Sequence, residues 1–454
     1  MSSLSARTLA WPIVFVTLTL VVTLISLPAQ SFCGFYVGKA DAGLFNEASQ
    51  VIVVRRDNRT VISMANDYRG DLTEFALVVP VPQVLERGQI RIGERKLFER
   101  IDAYSAPRLA EYFDPDPCAR AKAAGRVDMA AQLPASIAKE EARRDRALGV
   151  VVEAAYTVGE YDIVMLSAKQ SDGLETWLIR NGYRIPKGAS AALKPYVRQQ
   201  MKFFVAKVNL REQAKTGVAH LRPLQFAFES EKFMLPVRLG MLNARGPQDL
   251  VIYLLTANGR VETTNYRTVK LPANVELPTY VRADFARTYK ALFDAQAIRE
   301  DNRAIFTEYF WDMGWCDPCA ADPLSRDELR SAGVFWVEPV AASTTGRIAP
   351  RGAEPVMLTR LHLRYTKDSL PEDLVFQETS DRANFQARYV LRHPWVGDEN
   401  ACADAKPYFE SVRARQEHEA QTLADLTGWN ENDIRGRMAL APRLATKWWE
   451  TLWK

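Results

Sequence analysis

The N-terminal apolar segment places the strongest constraint on how this chain folds. Arg7 precedes an apolar run over residues 11–25, and the small residues Ala29 and Ser31 follow it. A basic start, an apolar centre and a small-x-small ending are typical of a secretory signal peptide, here cleaved after Ser31. The alternative is an uncleaved inner-membrane anchor over residues 11–27, although a span needs about 20 apolar residues. We therefore expect an extracytoplasmic protein, periplasmic or secreted, whose cysteines meet an oxidising environment.

Length and charge limit the classes of partner. The 454 residues suggest two or three domains, and a hydrophobic content of 47% is ordinary for a globular protein. A formal net charge of +4, from 59 basic and 55 acidic side chains, gives no indication of a nucleic-acid partner. Membrane contact is expected only through an uncleaved N-terminal segment. The tryptophan-rich tail 447–454 is predicted to pack on the body of the protein, with an interfacial membrane helix as the alternative.

The order of predicted elements indicates an α+β fold. β-branched runs at residues 49–56, 60–64 and 75–82 predict an antiparallel sheet at the start of the mature chain. Helical spacing and strong helix formers predict a helical insertion near residues 97–150. Strands and helices then mix without regular βαβ alternation. We predict β-rich antiparallel sheets with helical insertions and a helical C-terminal segment.

The predicted domain boundaries follow these changes in pattern. After the signal peptide, 1–31, we expect an N-terminal β-rich domain, 32–298, and a second β-rich domain, 299–403. A helical segment, 404–454, follows, with Asp404 as its expected N-cap. Strands of the second domain are predicted at residues 305–310, 334–337, 355–365 and 385–391.

An ordered set of short phrases gives a family resemblance. The phrases are FCGFYV at residues 32–37, ALVVPVP at 76–82, CDPC at 316–319, TRLHLRY at 359–365 and QARYVLRH at 386–393. Together they resemble the exported bacterial family known as domain of unknown function 2330, over nearly all of the mature chain. The resemblance implies a bacterial envelope protein. It implies no activity, cofactor or site residue.

Five cysteines remain after export, and disulfide formation is their expected chemistry. One bridge is expected between Cys33 and Cys118, and a second is expected to involve Cys316 or Cys319, although spacing alone leaves the connectivity open. The odd count, completed by Cys402, leaves at least one thiol unpaired or bonded to another molecule.

The C-x-P-C sequence at residues 316–319 resembles a thioredoxin active site. That chemistry needs the first thiol at a helix N-terminus, where the helix dipole lowers its pKa. Here a capping box formed by Ser325 and Glu328 starts the next helix too late, and Gly333 ends it. We interpret the pair as a structural cross-link, with redox catalysis as the alternative.

Other motifs do not indicate chemistry. A penicillin-binding-like set, Ser136-x-x-Lys139 with Ser171-Asp172-Gly173 and Lys215-Thr216-Gly217, lacks the expected strand context. Only four histidines are present, and oxidation competes with zinc for the thiols. The sequence therefore predicts no catalytic residue, no metal site and no cofactor.

A basic stripe is the most interesting predicted surface. Alternation places Arg360, His362 and Arg364 on one face of a strand, and it places Arg388 and Arg392 on one face of another. If these strands pair, the stripe can hold an anionic ligand through arginine forks. The alternative is a solvated sheet face with local acidic partners.

These observations predict a non-enzymatic envelope protein that binds an anionic ligand or an envelope partner, or that has a structural role. A thiol–disulfide oxidoreductase, with Cys316 as attacking thiol and Cys319 as resolving thiol, is the runner-up. A hydrolase without a recognisable motif is a third possibility.

Overall fold

The computed structural model describes residues 35–38, 45–69, 75–119, 150–181, 186, 188–215, 221–243, 246–315, 321–338 and 354–440. Several predictions fall outside these stretches and stay predictions. They concern the signal segment 1–31, Cys33, the pair Cys316 and Cys319, and the tail 447–454.

The strands of the described stretches range from two to 12 residues in length. They are β1 Phe35–Gly38, β2 Phe45–Arg56, β3 Arg59–Arg69, β4 Phe75–Val81, β5 Ile90–Ile92, β6 Arg108–Phe113, β7 Val150–Val158, β8 Tyr161–Ala168, β9 Lys202–Val208, β10 Leu224–Glu229, β11 Met234–Leu235, β12 Gln248–Thr256, β13 Val261–Thr263, β14 Arg267–Lys270, β15 Val275–Leu277, β16 Ala304–Asp312, β17 Met357–Tyr365, β18 Leu374–Glu378, β19 Phe385–Gln386 and β20 Arg388–His393.

The helices of the same stretches range from six to 23 residues in length. They are α1 Arg95–Ser105, α2 Ser171–Arg180, α3 Ala189–Arg198, α4 Leu210–Lys215, α5 Phe285–Arg299, α6 Arg326–Ala332, α7 Ala405–Thr427 and α8 Glu431–Arg437. Short 3-10 helices cover Arg87–Gln89, Arg238–Asn243 and Thr279–Asp284.

Two large sheets form the centre of the fold. One is five-stranded, in the order β1-β4-β9-β8-β7, and the other is nine-stranded, in the order β14-β16-β17-β12-β2-β3-β10-β5 with β19 beside β16. Their facing side chains share one apolar core, in which Ile163 and Phe204 of the first sheet meet Phe226 and Ile252 of the second. Helices α2 and α3 cover the outer face of the five-stranded sheet, and α1 and α6 cover that of the nine-stranded sheet. The result is a four-layer α/β/β/α arrangement.

Strand β2 shows why the sequence adopts these layers. Val51 and Val53 point into the core between the sheets, whereas Ile52 and Val54 pack against the helical layer. A strand covered on both faces is apolar at every position, because alternate side chains enter different cores. The unbroken apolar run at residues 51–54 is the sequence pattern of such a strand.

The nine-stranded sheet joins the two predicted β-rich parts. Strands β2, β3, β5, β10, β12 and β14 precede the predicted boundary at residue 298, and β16, β17 and β19 follow it. Strand β17 pairs antiparallel with β12 over its whole length, from Tyr365 opposite Gln248 to Met357 opposite Thr256. The two predicted parts therefore share one hydrogen-bonded sheet.

A smaller layer lies at the β16 end of the nine-stranded sheet. Strands β15, β20 and β6 form a parallel sheet, and α5, α7 and α8 pack over it around Phe293, Tyr389 and Leu423. Strands β11, β18 and β13 form a separate small antiparallel sheet.

The α+β class and the helical C-terminal segment are confirmed, but several local predictions are wrong. Residues 108–113 form strand β6, not part of a helical insertion, because Leu109 pairs with Tyr389 in the parallel sheet. Residues 334–337 form a turn, from which Val334, Trp336 and Val337 still enter the core. Strand β4 joins the five-stranded sheet, not the sheet of β2 and β3.

Capping chemistry was predicted correctly at one of two helices. Ser325 accepts from the Glu328 amide, the Glu328 side chain accepts from the Ser325 amide, and Gly333 ends α6 at φ 100°. At α7, Asp404 occupies the predicted N-cap position, but its side chain makes no capping hydrogen bond. Within the described stretches, no helix combines the length and the apolar character that crossing a bilayer requires.

Candidate functional site

An apolar cleft opens between the two large sheets, and we call it the inter-sheet cleft. Its volume is about 260 Å³. One wall comes from β3 and β10 of the nine-stranded sheet, and the other comes from the end of β4 and the residues around β9 and β11. The apolar lining residues are Ile62, Met64, Val79, Pro80, Pro82, Met201, Phe226, Phe228, Met234, Leu235 and Pro236.

Prolines line one wall of the cleft. Pro80, at the penultimate position of β4, contributes no N–H to the ladder, and Pro82 follows the strand. Ile62, Phe226 and Val79 belong to the core between the sheets, so the cleft leads directly into that core. A mostly apolar concavity with a few placed polar groups is the usual form of a small-molecule site.

The polar rim of the cleft consists of Gln199, Ser230, Glu231 and Lys232. The Lys232 ammonium donates to Oε1 of Gln199 at 2.9 Å, which links the loop after β10 to the end of α3 across the mouth. The Lys232 amide donates to Oγ of Ser230 at 3.2 Å. The rim is therefore an ordered set of donors and acceptors around an apolar interior.

Arg55 fixes this rim from below. Its guanidinium donates to the carbonyl oxygens of Glu231, at 3.2 Å, and Lys232, at 3.4 Å, and it lies 5.2 Å from the centre of the Phe233 ring. Only 6% of Arg55 is exposed, and burial lowers the pKa of its guanidinium. Because this buried arginine donates hydrogen bonds to two carbonyl oxygens of the loop, it holds the rim in one conformation.

A second cluster of polar side chains lies on the opposite face of the nine-stranded sheet, and we call it the buried charge cluster. It contains Glu308, Arg360, His362, Asp102, Tyr253 and Tyr289. Nδ1 of His362 lies 2.6 Å from Oε1 of Glu308, and Arg360 and Tyr289 donate to the same carboxylate. Arg360 also donates to Oδ1 of Asp102 at 2.7 Å.

The charges in this cluster compensate one another. Burial alone would raise the pKa of Glu308, but its interactions with Arg360, His362 and Tyr289 lower it to about 2. Arg360 is buried too, and the pKa of its guanidinium is raised because Tyr253, Glu308 and Asp102 outweigh the effect of burial. The His362 ring stacks on Phe293 at 3.7 Å. Every charged member thus has a partner, which is the condition for burying charge in a stable core.

The predicted basic stripe is divided between two sheets. Strand β17, with Arg360, His362 and Arg364, lies between β16 and β12, whereas β20, with Arg388 and Arg392, lies between β15 and β6. The two strands do not pair, so the condition for a continuous stripe is not met. The sheet face of β17 is also covered, since 13% of the His362 side chain and 8% of that of Arg360 are exposed.

Each of the other predicted anion-binding residues also has an internal partner. Arg364 forms a two-point contact with the carboxylate of Asp249, at 2.6 Å for both bonds, and a further bond with Asp294. Arg388 donates to Oδ1 of Asn274 at 2.9 Å. Arg392 donates to Oε1 of Glu276 at 2.8 Å. These contacts agree with the alternative interpretation of the stripe, in which its basic side chains have partners within the protein.

One cysteine pairing differs from the prediction. Cys118 forms a disulfide with Cys402, across a sequence separation of 284, with the Cα atoms 6.0 Å apart. The predicted bridge from Cys118 to Cys33 is therefore wrong in its partner. The bridge ties the chain after β6 to the start of α7, a contact that only the tertiary fold creates. Among the described residues, no group of three or more His, Cys, Asp or Glu side chains is arranged to hold a metal ion.

Sequence reasoning missed the inter-sheet cleft. Met64 and Phe226 lie on the neighbouring strands β3 and β10, and in sequence they look like ordinary core residues. Lys232 looks like any other lysine in a loop. Proline at residues 80, 82 and 236 was the available signal, because proline contributes no N–H to a ladder and is typical of strand ends and edges.

Comparison with known proteins identifies a family and no function. No curated protein and no solved structure matches this chain. The sequence profile of one family, described as "Uncharacterized protein conserved in bacteria (DUF2330)", matches residues 27–377. The match includes four of the five phrases that gave the resemblance and ends before the fifth, at residues 386–393. Because it covers well over half of the chain, the protein belongs to this bacterial family.

Proposed function

We propose that this protein is an exported bacterial envelope protein that binds a small apolar ligand in the inter-sheet cleft without transforming it. The observation that carries the proposal is the cleft itself, an opening of about 260 Å³ into the core between the sheets. This volume lies just below the roughly 300–1,000 Å³ of sites for drug-sized ligands. The cleft therefore suits a small molecule or one apolar part of a larger one.

The arrangement of polar groups supports binding rather than catalysis. The rim offers an ammonium, a carboxylate, an amide and a hydroxyl, and no histidine or cysteine of the described stretches lines the cleft. The buried charge cluster lies on the other face of the sheet, with its carboxylate occupied by three donors. A role for Arg388 and Arg392 in anion binding has less support, because both side chains already donate to acceptors on β15 or the loop before it.

Export is supported by the N-terminal pattern and by the disulfide between Cys118 and Cys402, since structural disulfides persist outside the cytoplasm. Cell fractionation followed by mass spectrometry of the intact protein tests it. We expect a periplasmic chain that begins at Phe32. A full-length chain in the membrane fraction would support the anchor over residues 11–27, and a full-length cytosolic chain with free thiols would contradict export.

Fluorescence of N-phenyl-1-naphthylamine tests ligand binding, because the dye brightens in apolar sites. We expect saturable binding of about one dye per chain. Met234→Trp fills the cleft and should weaken binding at least tenfold. Met241→Trp is the matched control, because Met241 is also half-buried and does not line the cleft. Unsaturable binding, or equal loss in both variants, would contradict the proposal.

A further inference from the structure

The walls of the inter-sheet cleft indicate which apolar shape it accepts. Three methionines, Met64, Met201 and Met234, contribute thioether side chains to the lining. Methionine has three rotatable bonds and a polarisable sulfur, so it adapts to ligands without a rigid outline. On the wall formed by β10, the rings of Phe226 and Phe228 stack at a centroid distance of 6.3 Å and give a smooth apolar surface. This combination suits a flexible aliphatic chain better than a rigid polar ring.

The volume sets the length of that chain. A methylene group is about as large as a water molecule, whose share of the liquid volume is roughly 30 Å³. The cleft volume of about 260 Å³ then holds about nine chain carbons. Longer chains would leave their remaining carbons in solvent.

The mouth of the cleft indicates the charge of the ligand. The Lys232 ammonium is held at the rim by its hydrogen bond to Oε1 of Gln199, at 2.9 Å. This acceptor is a neutral amide. Among the described residues, no carboxylate lies within 4.0 Å of this ammonium, so its charge is not already neutralised by an ion pair. Glu231 is the other charged group of the rim, and no hydrogen bond or ion pair within the described stretches fixes its carboxylate. Of the two charged side chains of the rim, the positively charged one is therefore the one that a hydrogen bond holds in place.

We propose that the cleft binds a single aliphatic chain of about nine carbons that ends in an anionic group, with the Lys232 ammonium as its counter-ion. This inference rests on the ligand-binding function proposed above and adds the chemistry of the ligand. A single-chain amphiphile, such as a medium-chain carboxylate, has both required parts. The chain enters the core between the sheets, and the anion stays at the rim beside Lys232.

Three ligands with the same ten-carbon chain test the charge: decanoate, decan-1-ol and decan-1-amine. Each competes with N-phenyl-1-naphthylamine on the purified, exported chain. We expect decanoate to bind about three- to fivefold more tightly than decan-1-ol, the effect of one partly exposed ion pair, and decan-1-amine to bind more weakly than either. Tighter binding of the amine would overturn the proposal, because the rim would then act through Glu231.

Two variants assign the effect to the proposed residue. Lys232→Gln should lower the affinity for decanoate to that for decan-1-ol and leave the alcohol unaffected. Lys169→Gln is the matched control, because Lys169 is also exposed and does not line the cleft. Equal affinity for decanoate and decan-1-ol in the unmodified protein would overturn the anionic ligand while leaving the binding function intact. Failure of all three ligands to displace bound dye would instead contradict ligand binding in the cleft.

Chain length and lipid form complete the test. From hexanoate to octanoate to decanoate, each methylene that enters the cleft should tighten binding about fourfold, and dodecanoate and tetradecanoate should add little. A gain that continues unchanged to tetradecanoate would contradict the size of the site. Vesicles of phosphatidylglycerol separate a monomeric ligand from a membrane surface. Sedimentation with the vesicles, without displacement of dye by decanoate, would overturn the proposal in favour of membrane docking.

Discussion

Nδ1 of His362 lies 2.6 Å from Oε1 of Glu308, although the two residues are 54 positions apart in sequence. The contact joins neighbouring strands β17 and β16 of the nine-stranded sheet. Through Arg360 and Tyr289 the same carboxylate is bound to a second side chain of β17 and to helix α5. Arg360 extends the cluster to Asp102 on α1. One fully buried carboxylate, together with Arg360, thus connects the central sheet with helices α1 and α5.

Loss of the charge on Glu308 should destabilise the fold strongly. Glu308→Gln leaves Arg360 buried with only Asp102 as an acidic partner, and breaking a buried ion pair on one side costs about 3–5 kcal/mol. Chemical denaturation measures the free energy of unfolding. Glu229→Gln is the control, because its pair with Arg59 is exposed and should contribute less than about 1 kcal/mol. Equal effects of the two substitutions would contradict the role of the buried charge cluster.

The same carboxylate predicts a loss of stability in acid. The pKa of Glu308 falls from 4.5 to about 2 on folding, since Arg360 and His362 overcome the effect of burial. The folded state then binds this proton less tightly than the unfolded state. Its contribution of about 3 kcal/mol is present above pH 4.5 and is lost as the pH falls towards 2. The difference in unfolding free energy between the unmodified protein and Glu308→Gln should shrink over this range, and a constant difference would count against the assignment.

Glu419 on α7 predicts the opposite pH dependence. Burial raises its pKa to about 7, against the attraction of Arg415, whose Nε lies 3.5 Å from Oε1. The folded state therefore keeps a proton that the unfolded state releases near pH 4.5, and stability from this group falls as the pH rises from 4.5 to 7. Glu419→Gln should raise the free energy of unfolding by up to about 3 kcal/mol at pH 8 and change it little at pH 4.

A neighbour on the same helix provides the control for this substitution. Glu410 is exposed on α7, and Glu410→Gln should leave the free energy of unfolding within about 0.5 kcal/mol at either pH. A destabilised Glu419→Gln protein at pH 8 would show that the ionised carboxylate contributes favourable contacts.

The disulfide between Cys118 and Cys402 should contribute to stability through the unfolded state. It closes a loop across 284 positions, and loss of such a cross-link costs about 2–5 kcal/mol. The double variant Cys118→Ser with Cys402→Ser should therefore unfold at a lower denaturant concentration than the unmodified protein without reductant. Peptide mapping of the oxidised protein checks the pairing directly. A peptide that links Cys33 to Cys118 would contradict it.

Local patterns predicted several of the strands, among them β2, β3, β16 and β17, and the start of one helix. The unbroken apolar run at residues 51–54 predicts β2, because a strand covered on both faces needs no polar alternation. Ser325 and Glu328 predict the start of α6, because the capping box depends only on residues three positions apart. The error at residues 108–113 arose because β6 is held by a parallel partner, β20, about 280 residues later in the chain.

The candidate sites depended on contacts that no local pattern contains. Alternation correctly placed Arg360, His362 and Arg364 on one face of β17, but not the carboxylates that meet them. Asp102, for example, is 258 positions from Arg360. A basic residue looks the same in sequence whether it faces solvent or a buried acid, so its availability for a ligand follows only from the packing of the sheet.

By itself, the sequence determined the family, through its ordered set of phrases. It also determined the α+β class and the alternation of side chains along each strand, because these depend on local patterns and on the fixed geometry of the backbone. The tertiary structure alone decided that residues on both sides of position 298 share one sheet, that Cys118 pairs with Cys402, and that a cleft opens between the sheets. The physical reason is that the hydrophobic effect is not directional, so burying an apolar face stabilises the fold to a similar extent whichever face covers it. Which faces meet, and where they part, is settled only when all the strands pack together.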